Sequence, residues 1–299
     1  MQKRFDNYVA FGKERGYITH IIYPNGEKRE RQPNESYMTN ELFEKLISEM
    51  KSDFPSAYEE YFCGNGGELS EKGVENKKTG VTKITPPKMA SYASSSLMTY
   101  LKFRHIPNFK FEYKLNTTFG SIAPACLDGF LEKKNEIIFI ESKCHEIYGN
   151  GHYPFKRSSS YFKLYRDYIS NLFKVSIKEK DNQIEVYLEN RDGQKIEYFE
   201  LSQIVCHFLG IGKYLENKTK GKKIKLVYFL YSPLEKGICD KEILERYESI
   251  VKEIESIDFN KLFNLILDFL RCERDVNIDT GWDFSFKLCH QNDVLGELE

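Results

Sequence analysis

The chain has 299 residues, of which 40% are hydrophobic and 14% are aromatic, and this composition excludes an intrinsically disordered protein. The 44 basic and 45 acidic residues leave a net charge of −1, so any nucleic-acid binding must come from a local patch rather than from the whole chain. The seven cysteines include no C-x-x-C motif, and there is neither a leader-like apolar segment nor an apolar run of about twenty residues. These features predict a cytoplasmic protein with reduced thiols and no membrane association.

The N-terminal part of the chain predicts a strand, a helix and a long polar loop. Residues 17–23 carry a weak strand pattern before a Pro-Asn-Gly turn. Thr39 or Asn40 can cap a helix, and its apolar stripe, which is typical of a core-facing helix, consists of Leu42, Phe43, Leu46, Ile47 and Met50. Residues 70–88 are polar and end in two prolines, so we expect a loop or linker there.

A glycine-rich segment follows the first helix. Residues 62–69, FCGNGGEL, place three glycines in four positions and so allow positive φ and a close approach of the backbone. No Gly-Lys-Ser/Thr follows, which excludes a phosphate-binding P-loop and favours a flexible turn. Residues 89–104 then predict a helix that contains a run of three serines. The serines either support close packing or contact a phosphate, and packing is the favoured role. Residues 109–115 predict a short strand around Glu112.

Two strands joined by a short polar segment form the most informative part of the sequence. Residues 137–140, IIFI, are apolar without alternation, which predicts a strand buried on both faces. The preceding strand, residues 122–131, carries Asp128. Residues 132–135 are polar and few enough to join the two strands as an antiparallel hairpin.

That hairpin predicts a cluster of two carboxylates and a lysine. The buried strand ends in Glu141-Ser142-Lys143, and Glu141 and Lys143 share a face because side chains alternate along a strand. With residues 132–135 as the loop, Phe139 lies opposite Asp128. Glu141 is then the diagonal neighbour of Asp128, within about 7–8 Å. A one-residue slip in register would move Asp128 to the other face and destroy the cluster.

Carboxylates placed together repel each other unless a cation lies between them. We therefore predict that Asp128 and Glu141 bind Mg2+ (or Mn2+), because hard cations prefer oxygen ligands. Such an ion activates water and neutralises charge on a phosphate, and Lys143 would orient the attacking water or stabilise the transition state. The alternative is an exposed ion pair of Glu141 and Lys143 at a strand end, with Asp128 in a turn.

A basic and aromatic stretch follows the Glu-x-Lys triplet. Its cationic residues, which are interleaved with aromatic ones, are Lys156, Arg157, Lys163 and Arg166. This pattern suits contact with a nucleic-acid backbone, and the alternative is an amphipathic helix with its aromatic residues in the core. His145 and His152 precede the stretch without zinc-ligand spacing and are interpreted as loop histidines.

The next segment predicts a hairpin inserted before a core helix. Two strand-like runs, residues 184–188 and 195–199, flank an Asn-Arg-Asp-Gly turn, which is a strong hairpin signal. The helix spans residues 201–217, with Ser202 as a candidate cap. The elements expected beyond it are a strand at 224–231, helices at 241–257 and 259–271, and a final strand from Trp282.

Asp128, followed thirteen residues later by Glu141-Ser142-Lys143, resembles the D…(D/E)-x-K core of the PD-(D/E)XK, or restriction-endonuclease-like, nuclease superfamily. The predicted element order α-β-β-β-α-β supports the resemblance. The G-x-G-G-E-L piece, followed by the three serines, looks like the upstream part of a branch of uncharacterised bacterial restriction-endonuclease-like proteins. The resemblance covers residues 62–233.

The resemblance implies an α/β fold whose core is a mixed four-stranded sheet flanked by helices. The implied parts are an N-terminal extension (1–61), the nuclease-like core (62–233) with a hairpin insertion (174–200), and a C-terminal helical extension (234–299).

The resemblance also implies supporting residues. Glu68 is the candidate for a further acidic residue upstream of the core strands, with Glu112 as its competitor. Gln203 corresponds to the first residue of a Q-x-x-x-Y pattern and would support Lys143 or the substrate, while His207 stands where the tyrosine is expected.

The implied function is Mg2+-dependent hydrolysis of phosphodiester bonds in DNA, as in a restriction-type endonuclease. Nucleases of this type often pair to cut two strands, so a homodimer is also expected. One rival is a non-catalytic DNA-binding or assembly module with the same fold. Another is a structural protein with a fortuitous E-x-K, which predicts no metal binding.

Overall fold

The computed structural model describes residues 15–63, 68–91, 94–117, 124–144, 155–231 and 241–290. Within these ranges the chain is a mixed α/β protein with several sheets. It divides into two compact units: residues 1–112 with 128–130 form the first, and residues 113–127 with 131–299 form the second. The domain boundaries expected after residues 61 and 233 stay predictions.

The strands are β1 (Arg15–Tyr17), β2 (His20–Ile22), β3 (Lys28–Glu30), β4 (Asn34–Met38), β5 (Lys72–Asn76), β6 (Val81–Thr85), β7 (Lys110–Leu115), β8 (Ala125–Glu132), β9 (Glu136–Lys143), β10 (Phe155–Ser158), β11 (Lys174–Lys180), β12 (Gln183–Glu189), β13 (Lys223–Leu230) and β14 (Phe284–His290). The helices are α1 (Asn40–Asp53), α2 (Pro55–Phe62), α3 (Ser95–Phe103), α4 (Leu201–Tyr214), α5 (Lys241–Glu255) and α6 (Phe259–Arg274). Short 3-10 and π-helical turns occur at Lys88–Ala90, Ser159–Tyr161, Leu164–Tyr168 and Ile169–Asn171. None of the helices in the described ranges is both long enough and apolar enough to cross a membrane.

Helix α1 begins where the sequence predicts. Thr39 is the N-cap, and its hydroxyl accepts a hydrogen bond from the Leu42 N–H at 3.3 Å. Phe43, Leu46 and Met50 are buried, so the apolar stripe is core-facing as expected.

The prediction of a loop at residues 70–88 is wrong. Strands β5 and β6 pair there as an antiparallel hairpin and join β2 and β3 in a four-stranded sheet of order β3-β2-β6-β5. All five residues of β5 are exposed, so the strand has no buried face to produce an apolar alternation in the sequence.

The helix expected from residue 89 begins six residues later. A 3-10 turn occupies Lys88–Ala90, and α3 starts at Ser95. The Ser94 hydroxyl accepts a hydrogen bond from the Leu97 N–H at 3.1 Å, and this cap sets the start of the helix.

Strand β9 lies inside a five-stranded sheet of order β14-β13-β9-β8-β7. It runs parallel to β13, which also pairs in parallel with β14. Residues 137–140 are at most 3% exposed, which confirms the predicted buried strand. The sheet has five strands rather than the expected four, because β14 extends it along the free edge of β13.

The turn between β8 and β9 is one residue shorter than expected, because Glu132 belongs to β8. The Lys133 N–H donates to the Glu136 carbonyl at 2.8 Å, whereas a loop of residues 132–135 would pair Leu131 with Glu136. The turn therefore closes between Lys133 and Glu136 rather than between Leu131 and Glu136. The pairing of Asp128 with Phe139 farther along the strands stays a prediction.

The insertion between β9 and α4 is a three-stranded sheet of order β10-β12-β11. Strand β12 confirms the predicted run at residues 184–188, but its hairpin partner is β11. The hairpin turns at Asp181 and Asn182, whose φ values are +52° and +61°. Both residues are of the type that tolerates this backbone region.

The second strand expected in that hairpin, residues 195–199, is not formed. Lys195 makes a single bridge to Glu189 and the backbone beyond it leaves the ladder. The carboxylate of Glu253 on α5 accepts hydrogen bonds from the backbone N–H groups of Glu197, Tyr198 and Phe199 at 2.7–3.3 Å. A side chain more than fifty positions away therefore replaces the expected strand partner.

Helix α4 packs closely against α6. A Cβ atom on Gly212 would lie 2.4 Å from Leu270 Cδ1 and 3.0 Å from Leu267 Cδ2, so a larger residue would have to displace these leucine side chains. The helix ends at Tyr214 rather than at residue 217. Glu200 occupies the N-cap position without a side-chain cap, so Ser202 does not cap the helix.

Candidate active site

Glu141 and Lys143 project together from the end of β9. Glu141 is 3% exposed and Lys143 is 6% exposed, and Lys143 Nζ lies 2.9 Å from Glu141 Oε1. The Lys143 carbonyl accepts a hydrogen bond from the Tyr231 N–H at 3.0 Å, which ties the strand end to the β13 side of the sheet. The pair is buried and is not the exposed strand-end ion pair of the alternative interpretation. Because burial removes the hydration of both charges, such a pair needs further polar partners.

Gln203 on α4 supplies those partners. Lys143 Nζ donates to Gln203 Oε1 at 2.5 Å, and Gln203 Nε2 donates to Glu141 Oε1 at 2.9 Å. One amide thus accepts from the lysine and donates to the carboxylate, which uses both of its functions. Glu200 Oε2 lies 3.8 Å from Lys143 Nζ at the start of the same helix. The contact of Gln203 with Lys143 is one of the two roles that the resemblance implies for Gln203, the other being a contact with the substrate.

His207 lies one helical turn beyond Gln203 and is 1% exposed. Its Nε2 is 3.1 Å from the Cys126 carbonyl and 3.8 Å from Glu141 Oε2. Burial lowers the pKa of His207; Lys143 adds to this effect, whereas Glu141 opposes it. The imidazole is therefore neutral, with Nε2 as the donor to the carbonyl and Nδ1 buried without a hydrogen bond.

The two candidates for the upstream acidic residue meet on one hydroxyl in the first unit. Ser96 Oγ on α3 is 3.0 Å from Glu68 Oε2 and 3.1 Å from Glu112 Oε1. Glu68 is 3% exposed and pairs with Lys88 Nζ at 2.6 Å. Glu112 lies on β7, and its backbone φ is +48°. The sequence treats Glu68 and Glu112 as competitors, whereas both belong to the same group.

Asp128 is part-buried on β8 and belongs to the first unit. Burial, together with the charges of Glu112, Asp128 and Glu68, raises the pKa of Tyr61 well above its usual value. Burial also disfavours the charged form of Lys88, but Glu68 and then the other two carboxylates outweigh it and raise the pKa of Lys88. The first unit thus holds three carboxylates within electrostatic reach of one lysine.

The four basic residues expected to contact nucleic acid occupy two kinds of structure. Lys156 and Arg157 lie on β10, and Lys163 and Arg166 lie in the 3-10 and π-helical stretch that follows. Of the aromatic residues among them, Tyr161 and Tyr165 are at most 1% exposed, as the alternative interpretation expects, whereas Phe155 and Phe162 are only part-buried.

Some expected residues lie outside the described part of the chain, and others were missed. His145, His152 and the glycines between residues 63 and 68 lie outside the described ranges. The sequence assigns Ser96 to packing and does not single out Glu200. The helical periodicity of residues 89–104 could have indicated that Ser96 faces the strand that carries Glu112. Glu200 precedes its helix, so no periodic pattern identifies it.

Among the described residues, no three His, Cys, Asp or Glu side chains form a ready-made metal-binding group. Comparisons of the chain with protein-family models, curated proteins and solved structures found no match.

Proposed function

We propose that this protein is a metal-dependent nuclease of the PD-(D/E)XK type that hydrolyses phosphodiester bonds in DNA, with a restriction-type endonuclease as the expected form. The observation that carries the proposal is the buried Glu141–Lys143 pair, which Gln203 holds at the end of a core strand. A buried ion pair contributes little net stability, so function is the stronger reason to keep one.

The order of elements supports the same proposal. Helix α3, strands β7, β8 and β9, helix α4 and strand β13 follow one another in the order α-β-β-β-α-β, with the three-stranded insertion between β9 and α4. Strands β8 and β9 are neighbours in the sheet, and they carry Asp128 and Glu141. This is the order that the resemblance requires for a restriction-endonuclease-like core.

In this proposal, Asp128 and Glu141 hold Mg2+ (or Mn2+). Carboxylate oxygens suit these hard cations, which usually take one or two protein carboxylates and complete their shell with water and phosphate. When bound, the ion lowers the pKa of a water and offsets charge on the phosphate. Lys143 orients the attacking water, and Gln203 fixes the Lys143 ammonium and the Glu141 carboxylate relative to each other. Glu68 and Glu112 serve as the upstream acidic group.

The test is cleavage of plasmid and linear DNA with Mg2+, Mn2+ or EDTA. We expect metal-dependent cutting by the wild type and a loss of about 100-fold or more in Lys143→Met, Glu141→Gln and Asp128→Asn, because each change removes a charge at the reacting centre. Sedimentation in the presence of DNA measures whether the active form is a homodimer.

Lys225→Met is the matched control. Lys225 pairs with Glu136 at the opposite end of β9, so this variant removes a Glu–Lys pair of the same sheet far from residue 143 along the strand. Cutting by Lys143→Met at the wild-type rate would contradict the catalytic proposal. DNA binding without metal-dependent cutting would instead identify the non-catalytic DNA-binding or assembly module.

A further inference from the structure

The basic residues expected to contact nucleic acid differ in whether their charge is already neutralised. Lys156 pairs with Glu185 at 3.3 Å, Lys163 pairs with Glu273, and Arg166 pairs with Asp167 through its Nε at 2.5 Å and its Nη2 at 2.7 Å. An intramolecular carboxylate competes with a phosphate for each of these three cations.

Arg157 is different. No carboxylate of the described residues lies within ion-pair distance of its guanidinium, and its Nε is buried without a hydrogen bond. The side chain is part-buried and its guanidinium lies 5.9 Å from the centre of the Tyr161 ring. Burial disfavours the charged form of Arg157, but its neighbours, Cys206 first and then Tyr165, Tyr161 and Glu200, outweigh burial and raise the pKa. The guanidinium is therefore charged, and its charge can pair with a bound anion.

The position of Arg157 relates it to the candidate active site. Arg157 Nη2 donates to Ser202 Oγ at 2.9 Å. Ser202 lies in the first turn of α4 and directly precedes Gln203, the residue that contacts Lys143 and Glu141. The first turn of a 14-residue helix carries partial positive charge, which favours an anion there. Glu200, which lies 3.8 Å from Lys143, also acts electrostatically on Arg157.

We propose that Arg157, oriented by Ser202, binds a backbone phosphate of the DNA beside the Glu141–Lys143 site. The planar guanidinium can donate two parallel hydrogen bonds to a phosphate, which a lysine cannot do. Arg157 is then a positioning contact that sets where the phosphodiester chain lies relative to Lys143. The assignment rests on the proposed function, because it takes DNA to be the substrate.

Binding without cutting tests the proposal first. Fluorescence anisotropy of a labelled 20-base-pair duplex in EDTA gives the Kd at several salt concentrations. Arg157→Met should raise the Kd about tenfold at 0.1 M salt and reduce the slope of log K against log salt by about 0.9, because one phosphate contact is lost. Arg157→Lys should keep the wild-type slope and recover part of the affinity.

The control variant is Arg246→Met. Arg246 is a largely buried arginine of α5 that pairs with Glu242 at 3.0 Å, and its loss should leave the Kd and the salt slope unchanged. Ser202→Ala removes the hydrogen bond that orients Arg157 and should weaken binding severalfold with the slope unchanged. Circular dichroism and Tm establish that each variant is folded.

Wild-type affinity and slope in Arg157→Met overturn the assignment. If that variant does not fold, wild-type affinity in both Arg157→Lys and Ser202→Ala overturns it. A reduced affinity and a smaller salt slope in Arg157→Met support the assignment of Arg157 as a phosphate contact. If the wild type also fails to cut DNA, only the nuclease proposal is contradicted. A wild type that neither binds nor cuts the duplex overturns both.

Discussion

At the scale of single residues, the geometry of the Glu141–Lys143 ion pair at the end of β9 depends on the side-chain amide of Gln203. Lys143 and Glu141 are both buried, and each lost hydration shell costs several kcal/mol unless polar neighbours replace it. Gln203 replaces part of that hydration on both sides because its oxygen faces the ammonium and its nitrogen faces the carboxylate. An apolar residue at 203 would leave the ion pair in contact but free to reorient.

On the proposed nuclease function, in which Glu141 is a metal ligand, we expect Gln203→Leu to slow DNA cutting about 10–100-fold, the usual effect of removing a group that orients such a ligand. The Mg2+ concentration for half-maximal rate should rise, because Glu141 loses its orienting donor. Single-turnover cutting rates across a Mg2+ titration measure both effects. Gln183→Leu, an exposed glutamine of β12, is the control and should match the wild type. A Gln203→Leu enzyme with wild-type rate and Mg2+ dependence would exclude this positioning role.

At the scale of secondary-structure elements, a buried carboxylate takes the place of a strand. Residues 195–199 alternate as a strand should. The Ile196 N–H still donates to the Leu188 carbonyl of β12, but the N–H groups of residues 197–199 bond to Glu253 on α5 instead of to a neighbouring strand. Burial raises the pKa of Glu253, and the backbone donors offset part of that shift. Local propensity is thus overridden by a long-range acceptor that satisfies three backbone donors at once.

Glu253→Gln should lower the free energy of unfolding by about 1.5–3 kcal/mol, because the amide nitrogen replaces one acceptor and faces backbone donors. Urea unfolding at pH 8 gives the difference. Glu255→Gln, an exposed residue of the same helix, should change stability by less than about 0.5 kcal/mol. Equal stability of the two variants would mean that the 195–199 segment does not depend on Glu253.

At the scale of the whole molecule, one buried histidine links folding to pH. The folded-state pKa of His207 is lowered, chiefly by burial, while the unfolded chain takes up the proton near the ordinary value of about 6.5. Below that pH the unfolded state therefore binds more protons than the native state. The contribution of His207 to stability is fully present above about pH 6.5 and is lost as the pH falls toward its lowered pKa.

His207→Gln should remove this slope. Between pH 6.5 and 5.5 we expect the wild type to lose about 1 kcal/mol more than the variant, within the limit of about 1.4 kcal/mol per pH unit for one proton. Urea unfolding at pH 7.5, 6.5 and 5.5 measures it. His105→Gln, at an exposed position, controls for the loss of an imidazole. A wild-type slope in His207→Gln would show that other groups carry the acid sensitivity.

The sequence by itself determined the elements whose signal is local. The unalternating run at 137–140 predicted a buried strand, the Thr39 cap and its stripe predicted α1, and the spacing of Glu141 and Lys143 placed both on one face. Helix α4 was recognisable from its apolar content. These features need only the side-chain periodicity of a strand or a helix. Gln203 was singled out by the resemblance to the nuclease superfamily and not by periodicity.

Only the tertiary structure determined the contacts between residues that are far apart in the sequence. Strand β5 is exposed along its whole length, so only its pairing with β6 identifies it as a strand. Glu68 and Glu112 both contact the Ser96 hydroxyl, and Glu253 accepts hydrogen bonds from the backbone of residues 197–199. These contacts join positions far apart in the sequence, for which no local pattern exists. The absence of an acidic partner for Arg157 among the described residues is likewise a property of packing. Charge pairing between residues far apart in the sequence is decided by which surfaces the fold brings together, and the periodicity of a single sequence does not encode it.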